Sequence, residues 1–218
     1  MDIALLGLPG AGKGTQASLL AGELGVPHIA TGDIFRQAAA EGTPLGDQVR
    51  AIMEAGRLVP DALTIAVIRE RLGAADCAPG AVLDGFPRTV AQATALDGML
   101  SELGRSLGPA VYLVVDEARA VERLSGRRVC PRCGATYHLE TAPPPADGRC
   151  GRCGSALVQR ADDAPAAQLQ RLAAYREATA PVLAYYRRDG RLLEVDGDRP
   201  MADVGRAVLA AVRAGGAV

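Results

Sequence analysis

The chain has 218 residues, 49% of them hydrophobic and 22% charged, with a formal net charge of −1. That length supports a buried core in one or two domains, and the composition excludes a disordered chain. A net charge this small, with 3% aromatic residues, argues against a general nucleic-acid binder or a membrane-surface protein.

The segment Met1–Gly7 has no basic region and no long apolar run, so no secretory signal is expected. No run approaches the roughly 18 apolar residues of a transmembrane helix. Ile3 to Leu6 is a short apolar run ending at Gly7, and helical periodicity resumes from Lys13 to Leu24. This reads as strand, glycine loop, helix. The loop Gly7-Leu8-Pro9-Gly10-Ala11-Gly12-Lys13-Gly14-Thr15 fits the phosphate-binding pattern G-x-x-x-x-G-K-[ST] with one departure. Gly14 stands at the Ser/Thr position and Thr15 follows it, so magnesium is expected to be held mainly through water. Such a loop aims backbone N–H groups from Gly10, Ala11, Gly12, Lys13, Gly14 and Thr15 at one point, and the helix N-terminus adds partial positive charge. Lys13 is the one lysine among 24 basic residues. A compact ammonium on a flexible stem fits a crowded phosphate where a planar guanidinium does not.

A short strand is expected around His28-Ile29-Ala30, with His28 as a packed residue rather than a catalyst. Residues 30–59 read as two short helices split by Gly42-Thr43-Pro44, with Pro44 opening the second and Gly56 closing it. Buried strands are predicted at Ala81–Asp84, at Ala110–Val115 and at Leu192–Val195, each followed by helix-like sequence. This alternation predicts an α/β fold: a parallel sheet with helices on both faces. Asp84, at a strand end beside the phosphate loop, is placed to hold hydrated magnesium.

Residues 126–163 break the rhythm, with many glycines, three consecutive prolines and little helical periodicity. They carry Cys130-Pro131-Arg132-Cys133 and Cys150-Gly151-Arg152-Cys153, a C-x2-C…C-x2-C spacing suited to a structural zinc site. Four thiolates close a tetrahedron and leave no open position for substrate. His138 is expected to pack or hydrogen-bond nearby rather than ligate. The fifth cysteine, Cys77, reads as small apolar filler. Cysteines in such pairs suit a reducing compartment, so the chain reads as cytoplasmic. A long helix is expected from Pro165 towards Arg188. Arg105, Arg187, Arg188, Arg206 and Arg213 read as solvated helix faces.

Taken together, Gly7–Thr15, Thr31–Arg36, Gly56–Asp61, Asp84–Thr89 with Gln92, Arg123, Gly126-Arg127-Arg128, the cysteine pairs with Tyr137-His138, Arg160–Asp163, Arg171-Leu172 and Val195-Asp196-Gly197 resemble the adenylate kinase family in one order along nearly the whole chain. The cysteine module resembles the long-lid form of that family. The resemblance implies a P-loop NTPase-like core of five parallel strands (1–29, 60–125 and 164–218) with two mobile insertions. These are a monophosphate clamp (30–59) and a zinc-binding lid (126–163). It implies the reaction ATP + AMP ⇌ 2 ADP with Mg2+, and a monomer that uses neither nucleic acid nor membrane. It places Gly10 to Thr15, Arg123, Arg127, Thr136, Tyr137 and Arg199 at ATP. It places Thr31, Arg36, Arg57, Leu58, Val59, Gly85, Phe86, Pro87, Arg88, Gln92, Arg160 and Arg171 at AMP. Lys13, Asp84, Arg88, Arg123, Arg127, Arg160 and Arg171 become the catalytic set, and Asp162-Asp163 become residues that bind arginine when the lid shuts. Two departures stand out: Ala30 replaces a commoner serine, and the acidic residue usual after the Asp pair is replaced around Pro165-Ala166-Ala167.

Elementary chemistry supports the arginine-rich set. Two polyanions must meet, so converging cations are required, and a phosphate acceptor is already ionised and needs no general base. Two further readings are carried: a kinase for UMP or CMP, and, in a different class, a zinc-ribbon nucleic-acid-binding ATPase.

Overall fold

The computed structural model describes residues 1–215; residues 216–218, assigned above to the last core segment, lie outside them. In chain order the strands are β1 (Asp2–Gly7), β2 (His28–Ala30), β3 (Ala81–Asp84), β4 (Leu107–Val114), β5 (Arg127–Val129), β6 (Thr136–His138) and β7 (Leu192–Asp196). The helices are α1 (Lys13–Leu24), α2 (Thr31–Ala40), α3 (Pro44–Glu54), α4 (Asp61–Leu72), α5 (Val90–Glu102), α6 (Glu117–Ser125), α7 (Pro165–Ala174), α8 (Ala180–Arg188) and α9 (Met201–Gly215).

Five strands form one parallel sheet in the order β2-β3-β1-β4-β7. All of β1 is buried, as expected of a strand covered on both faces. Its side chains alternate. Ile3 and Leu5 pack with Ala17 and Leu20 of α1 and Val204 and Val208 of α9. Ala4 and Leu6 pack with Ile68 of α4, Leu96 and Leu100 of α5 and Val182 of α8. The sheet thus lies between two helical layers, as the strand–helix alternation predicts.

β4 starts earlier than expected, at Leu107. Gly108 and Pro109 hide its beginning in the sequence. Pro109 is tolerated where the β1–β4 register shifts between Asp2 and Ala4. Register pairs Leu5 and Ala30 each with Asp84, Gly7 with Leu113 and Val114 with Asp196. The glycine loop, Thr31, Asp84-Gly85 and the Asp196 turn therefore open on one edge, the carboxyl ends of the strands, where ligands of such sheets bind.

Residues 30–59 form the two expected helices. The Thr43 hydroxyl caps α3 by accepting the Gly46 N–H (3.1 Å), with Pro44 in the first turn. A Cβ on Gly46 would come within 2.1 Å of the Ala38 carbonyl, so α2 and α3 meet at a glycine. This pair shares a small core of Phe35, Val49 and Val59.

Within 126–163 the chain forms an antiparallel β5–β6 hairpin that the sequence does not announce, extended by a bridge from Val129 to Val158. Its core is Cys130, Ala135 and Cys150, far too little apolar surface to hold the module alone. The helix expected over 165–188 is interrupted: Tyr175–Thr179 forms a π turn between α7 and α8. Pro181 has no amide hydrogen to extend the α-helical ladder backwards, and the turn ahead of it widens.

Arg105 corrects another expectation. Its side chain is largely buried, donates to the Cys77 carbonyl, and lies 3.6 Å from the carboxylate of Asp2, itself 1% exposed. A buried carboxylate needs a nearby cation, and Arg105 supplies it. Arg187, Arg188, Arg206 and Arg213 are exposed, as expected. Among the described residues no helix is long and apolar enough to cross a membrane.

Candidate active site

The glycine loop turns from β1 into α1 through left-handed glycines at Gly10 (φ 90°) and Gly12 (φ 89°). A Cβ on Gly10 would sit 2.1 Å from the Ala120 carbonyl, so side chains are excluded there on steric grounds as well. Lys13 folds over the loop, its Nζ donating to the carbonyls of Gly7 and Leu8, both at 2.8 Å. Burial pushes its pKa down to about 7; Asp84 pulls it up, while the charges of Arg88, Arg171 and Arg127 push it further down. These five groups, drawn from β1–α1, β3, α7 and the hairpin, therefore share one electrostatic field.

Asp84 lies at the end of β3, with Oδ2 3.6 Å from Nε2 of His28. Burial raises its pKa, but His28, Lys13 and Arg88 lower it by more, so the carboxylate stays ionised. A Cβ on Gly14 would be 3.2 Å from the same oxygen. The absent side chain leaves Asp84 open towards the phosphate loop. An ionised oxygen beside that loop fits a hydrated magnesium ion.

Arg88 follows a left-handed Gly85 (φ 74°) and a cis Phe86–Pro87 bond, and its Nε donates to the Gly85 carbonyl (2.8 Å). Thr31 donates to the same carbonyl at 2.9 Å. A cleft joins Gly7, Pro9 and Lys13 to Leu58, Gly85, Pro87, Arg88, Arg171 and Thr179. The π turn has a use here: it brings the Thr179 hydroxyl to the Arg88 carbonyl (2.9 Å).

The remaining arginines gather on the Asp pair. Arg127 donates through Nε (2.8 Å) and Nη2 to Asp163, which is fully buried. Arg160 grips Asp162 at 2.9 and 2.6 Å. Arg171 reaches the Asp162 carbonyl and Asp163 Oδ1, both at 3.0 Å. Burial pushes the Arg171 pKa down to about 10 against the pull of Asp162. Arg36 pairs with Asp33 (2.5 Å), and its pKa is lowered by burial and by the Arg160 charge. So much positive charge in one place is costly without an anion to share it.

Other sequence-predicted residues lie apart from this cluster. Arg123 donates to the Gly197 carbonyl (3.0 Å) and Arg199 to Asp196 (3.0 Å), at the β7 turn. Thr136 is exposed on β6. The Tyr137 hydroxyl accepts the Gly151 N–H (2.9 Å) and lies 3.5 Å from Cys150 Sγ, so it is tied to the cysteine module. Gly56 packs its backbone on Ala167 and Arg171 of α7 and lines the cleft with Leu58, whereas Val59 is buried with Phe35 and Val49 and Arg57 is exposed. Gln92 is buried beneath Arg88. Sequence reasoning gave no role to Asp61, which accepts hydrogen bonds from Thr89 and Gln92, nor to Thr179. The only sequence hint for Thr179 is a proline two residues further on in a long helix.

The four sulfurs of Cys130, Cys133, Cys150 and Cys153 lie within 4.8 Å of one another. Pairs stand at 3.4 Å (Cys130–Cys153) and 3.5 Å (Cys133–Cys150). A zinc ion with four Zn–S bonds of about 2.3 Å has S–S edges of about 3.8 Å, so the thiols are already near that tetrahedron. Two matching loops hold them, with Gly134 N–H on the Cys130 carbonyl (3.0 Å) and Gly154 N–H on that of Cys150 (2.8 Å). His138 stays outside, its Nδ1 accepting from the N–H groups of Glu140 and Thr141.

Comparison with known proteins agrees with this geometry. The family model described as "Adenylate kinase" matches residues 5–191. An adenylate kinase of Symbiobacterium thermophilum is 51% identical over 214 residues, covering 98% of this chain and 99% of the relative. One from Anaeromyxobacter dehalogenans is 55% identical over 197 residues, covering 90% and 92%. One from Moorella thermoacetica is 52% identical over 204 residues, covering 94% of each. On this match, and on the phosphate loop, the converging arginines and the cysteine module, the chain belongs to the adenylate kinase family.

Proposed function

We propose that this chain is an ATP:AMP phosphotransferase, catalysing ATP + AMP ⇌ 2 ADP. One observation carries the reading. Lys13, Arg88 and Arg171 line one cleft beside an ionised Asp84, the charge of Arg127 acts on the same lysine, and no general base stands among them. That set suits a reaction whose barrier is charge repulsion and positioning, with an acceptor that is already ionised.

Family membership suggests how the roles divide. The loop from Gly10 to Thr15 and Lys13 hold ATP phosphates, with Arg123, Arg127, Thr136, Tyr137 and the Arg199 backbone on the ATP side. Thr31, Arg36, Arg57–Val59, Gly85–Arg88 and Gln92 hold AMP, and Arg160 and Arg171 reach the phosphates from the closing side. Lys13 now rests on two loop carbonyls; phosphate binding exchanges these neutral acceptors for anionic ones. Asp162 and Asp163 keep three arginine forks in place until phosphates share them. Magnesium, when bound near Asp84, supplies charge neutralisation between the phosphates. The core comprises 1–29, 60–125 and 164–218, with 30–59 as clamp and 126–163 as lid. Zinc held by the four cysteines stiffens the lid and takes no part in the transfer. Closure of both insertions excludes water from the transferred phosphoryl.

We also read the chain as a cytoplasmic monomer with no nucleic-acid or membrane partner: the net charge of −1 weighs against a polyanion or membrane partner, the metal-spaced cysteine pairs suit a reducing compartment, and the monomer follows from the family resemblance alone. The matches give no support to a UMP or CMP kinase or to a nucleic-acid-binding ATPase. A coupled assay with ATP and each of AMP, UMP and CMP is the test: AMP is the preferred acceptor, and a preference for UMP or CMP would overturn the reading.

A further inference from the structure

Gln92 is 2% exposed, and its carboxamide is held at both ends by groups that each permit one orientation. Its Oε1 accepts the backbone N–H of Arg88 at 2.8 Å, and an N–H can only donate. Its Nε2 donates to Asp61 Oδ1 at 2.7 Å, and a carboxylate can only accept. Asp61 is pinned in turn, since the Thr89 hydroxyl donates to its Oδ2 at 2.9 Å while accepting the Gln92 N–H at 3.1 Å. Turning the amide over would set N–H against N–H on one side and oxygen against carboxylate on the other.

A free glutamine amide has no such preference. By rotating half a turn it presents acceptor-then-donor or donor-then-acceptor. The first arrangement complements an amino group beside an unprotonated ring nitrogen, as in adenine. The second complements a carbonyl beside a ring N–H, as in hypoxanthine, guanine or uracil. The held amide of Gln92 keeps one lone pair on Oε1 and one N–H on Nε2 uncommitted, in the first arrangement.

We infer that Asp61, with the Arg88 backbone N–H, is the residue that makes the site select an amino-bearing base over an oxo-bearing one, by fixing which way the Gln92 amide faces. Asp61 is a positioning residue: it acts on the base through Gln92. The device does not separate adenine from cytosine, whose amino-and-ring-nitrogen edge is the same. Purine against pyrimidine must be decided by the size of the space around the base. This inference rests on the assignment of Gln92 to the AMP side.

The test compares kcat/KM for AMP with that for IMP, the same nucleotide with an oxo group, in the wild type and in Asp61→Ala and Asp61→Asn. Removing the carboxylate removes one charge-assisted hydrogen bond from the preferred orientation, so in Asp61→Ala the AMP/IMP ratio falls by about tenfold or more. Asp61→Asn keeps an oxygen for Nε2 and retains most of the ratio. A role limited to starting α4 would lower both substrates together and leave the ratio unchanged, and that result overturns the proposal. If Asp61→Ala does not fold, Asp61→Ser reads the same ratio, because a hydroxyl accepts or donates and no longer chooses. Failure of the wild type to phosphorylate AMP would refute the AMP assignment. A wild type that strongly prefers AMP, with an unmoved ratio in the variant, refutes only the role of Asp61.

Discussion

The phosphate loop and the cysteine module both hold short irregular segments in a fixed shape, by opposite means. The loop hangs between β1 and α1, whose residues Ile3, Ala4 and Ala17 are fully buried in the two cores of the sheet. Its geometry is enforced by apolar packing that would exist without any ligand. The apolar core of the module is three buried residues, two of them cysteines, and it depends on what binds its sulfurs. The loop region can therefore spend its side chains on chemistry. The module spends its own on staying folded, and contributes Arg127 at its base.

Perturbations should divide along the same line. The largest effect falls on Lys13. Lys13→Met is expected to lower turnover by about 10²–10³-fold or more while the melting temperature does not fall, because a buried cation crowded by arginines is removed. Near-normal turnover would break the assignment of the loop as the phosphate anchor.

Next comes Leu83→Ala in β3, fully buried. It is expected to cost about 2–5 kcal/mol in urea unfolding. Leu157→Ala in the module, where the leucine is only partly buried, is expected to cost less than about 1 kcal/mol. Equal losses would mean that the module is an extension of the core.

Chelation sharpens the contrast further. A zinc chelator should open 126–163 to limited proteolysis and lower the thermal transition, while the parallel sheet keeps its circular dichroism. Complete loss of turnover in metal-free protein that is still folded would contradict a purely structural metal.

The remaining contrast is in pH dependence. Lys13 titrates near 7 when folded and at about 10.4 when unfolded. Between these values the unfolded chain holds more protons, so this group makes stability rise with pH from about 7 to about 10. The wild type should gain stability relative to Lys13→Met when unfolding is measured from pH 7 to 9. A constant difference would show that Lys13 is not depressed.

The same division governs what was legible in the sequence. In the core, apolar runs at Ile3–Leu6 and Ala81–Asp84 fall on strands, and Lys13–Leu24 falls on α1, because burial on both faces leaves a continuous apolar signature. Where that signature is missing, the reading fails. Arg127–Val129 and Thr136–His138 show no alternation that would announce a hairpin; the cysteine loops between and beyond them impose the pairing. The cysteine spacing itself was legible, since metal ligation is a local pattern. The arginines of the site were identifiable by type and motif, and the family resemblance gave Asp162-Asp163 as their acceptors, but which arginine meets which carboxylate was not legible. Asp61 meets Gln92 across 31 positions and Asp163 meets Arg127 across 36. Nothing short of the fold joins such pairs. Arg105 reads as surface charge for the same reason, because its partner Asp2 lies across the end of the sheet.

The central claim is that the converging cations of this cleft transfer a phosphoryl group from ATP to AMP. Phosphorus NMR of the protein with MgATP and AMP tests it directly. The account predicts two ADP formed for each ATP consumed, with no inorganic phosphate, and loss of the reaction in Lys13→Met. Steady release of inorganic phosphate, at the same rate with or without AMP, would contradict it.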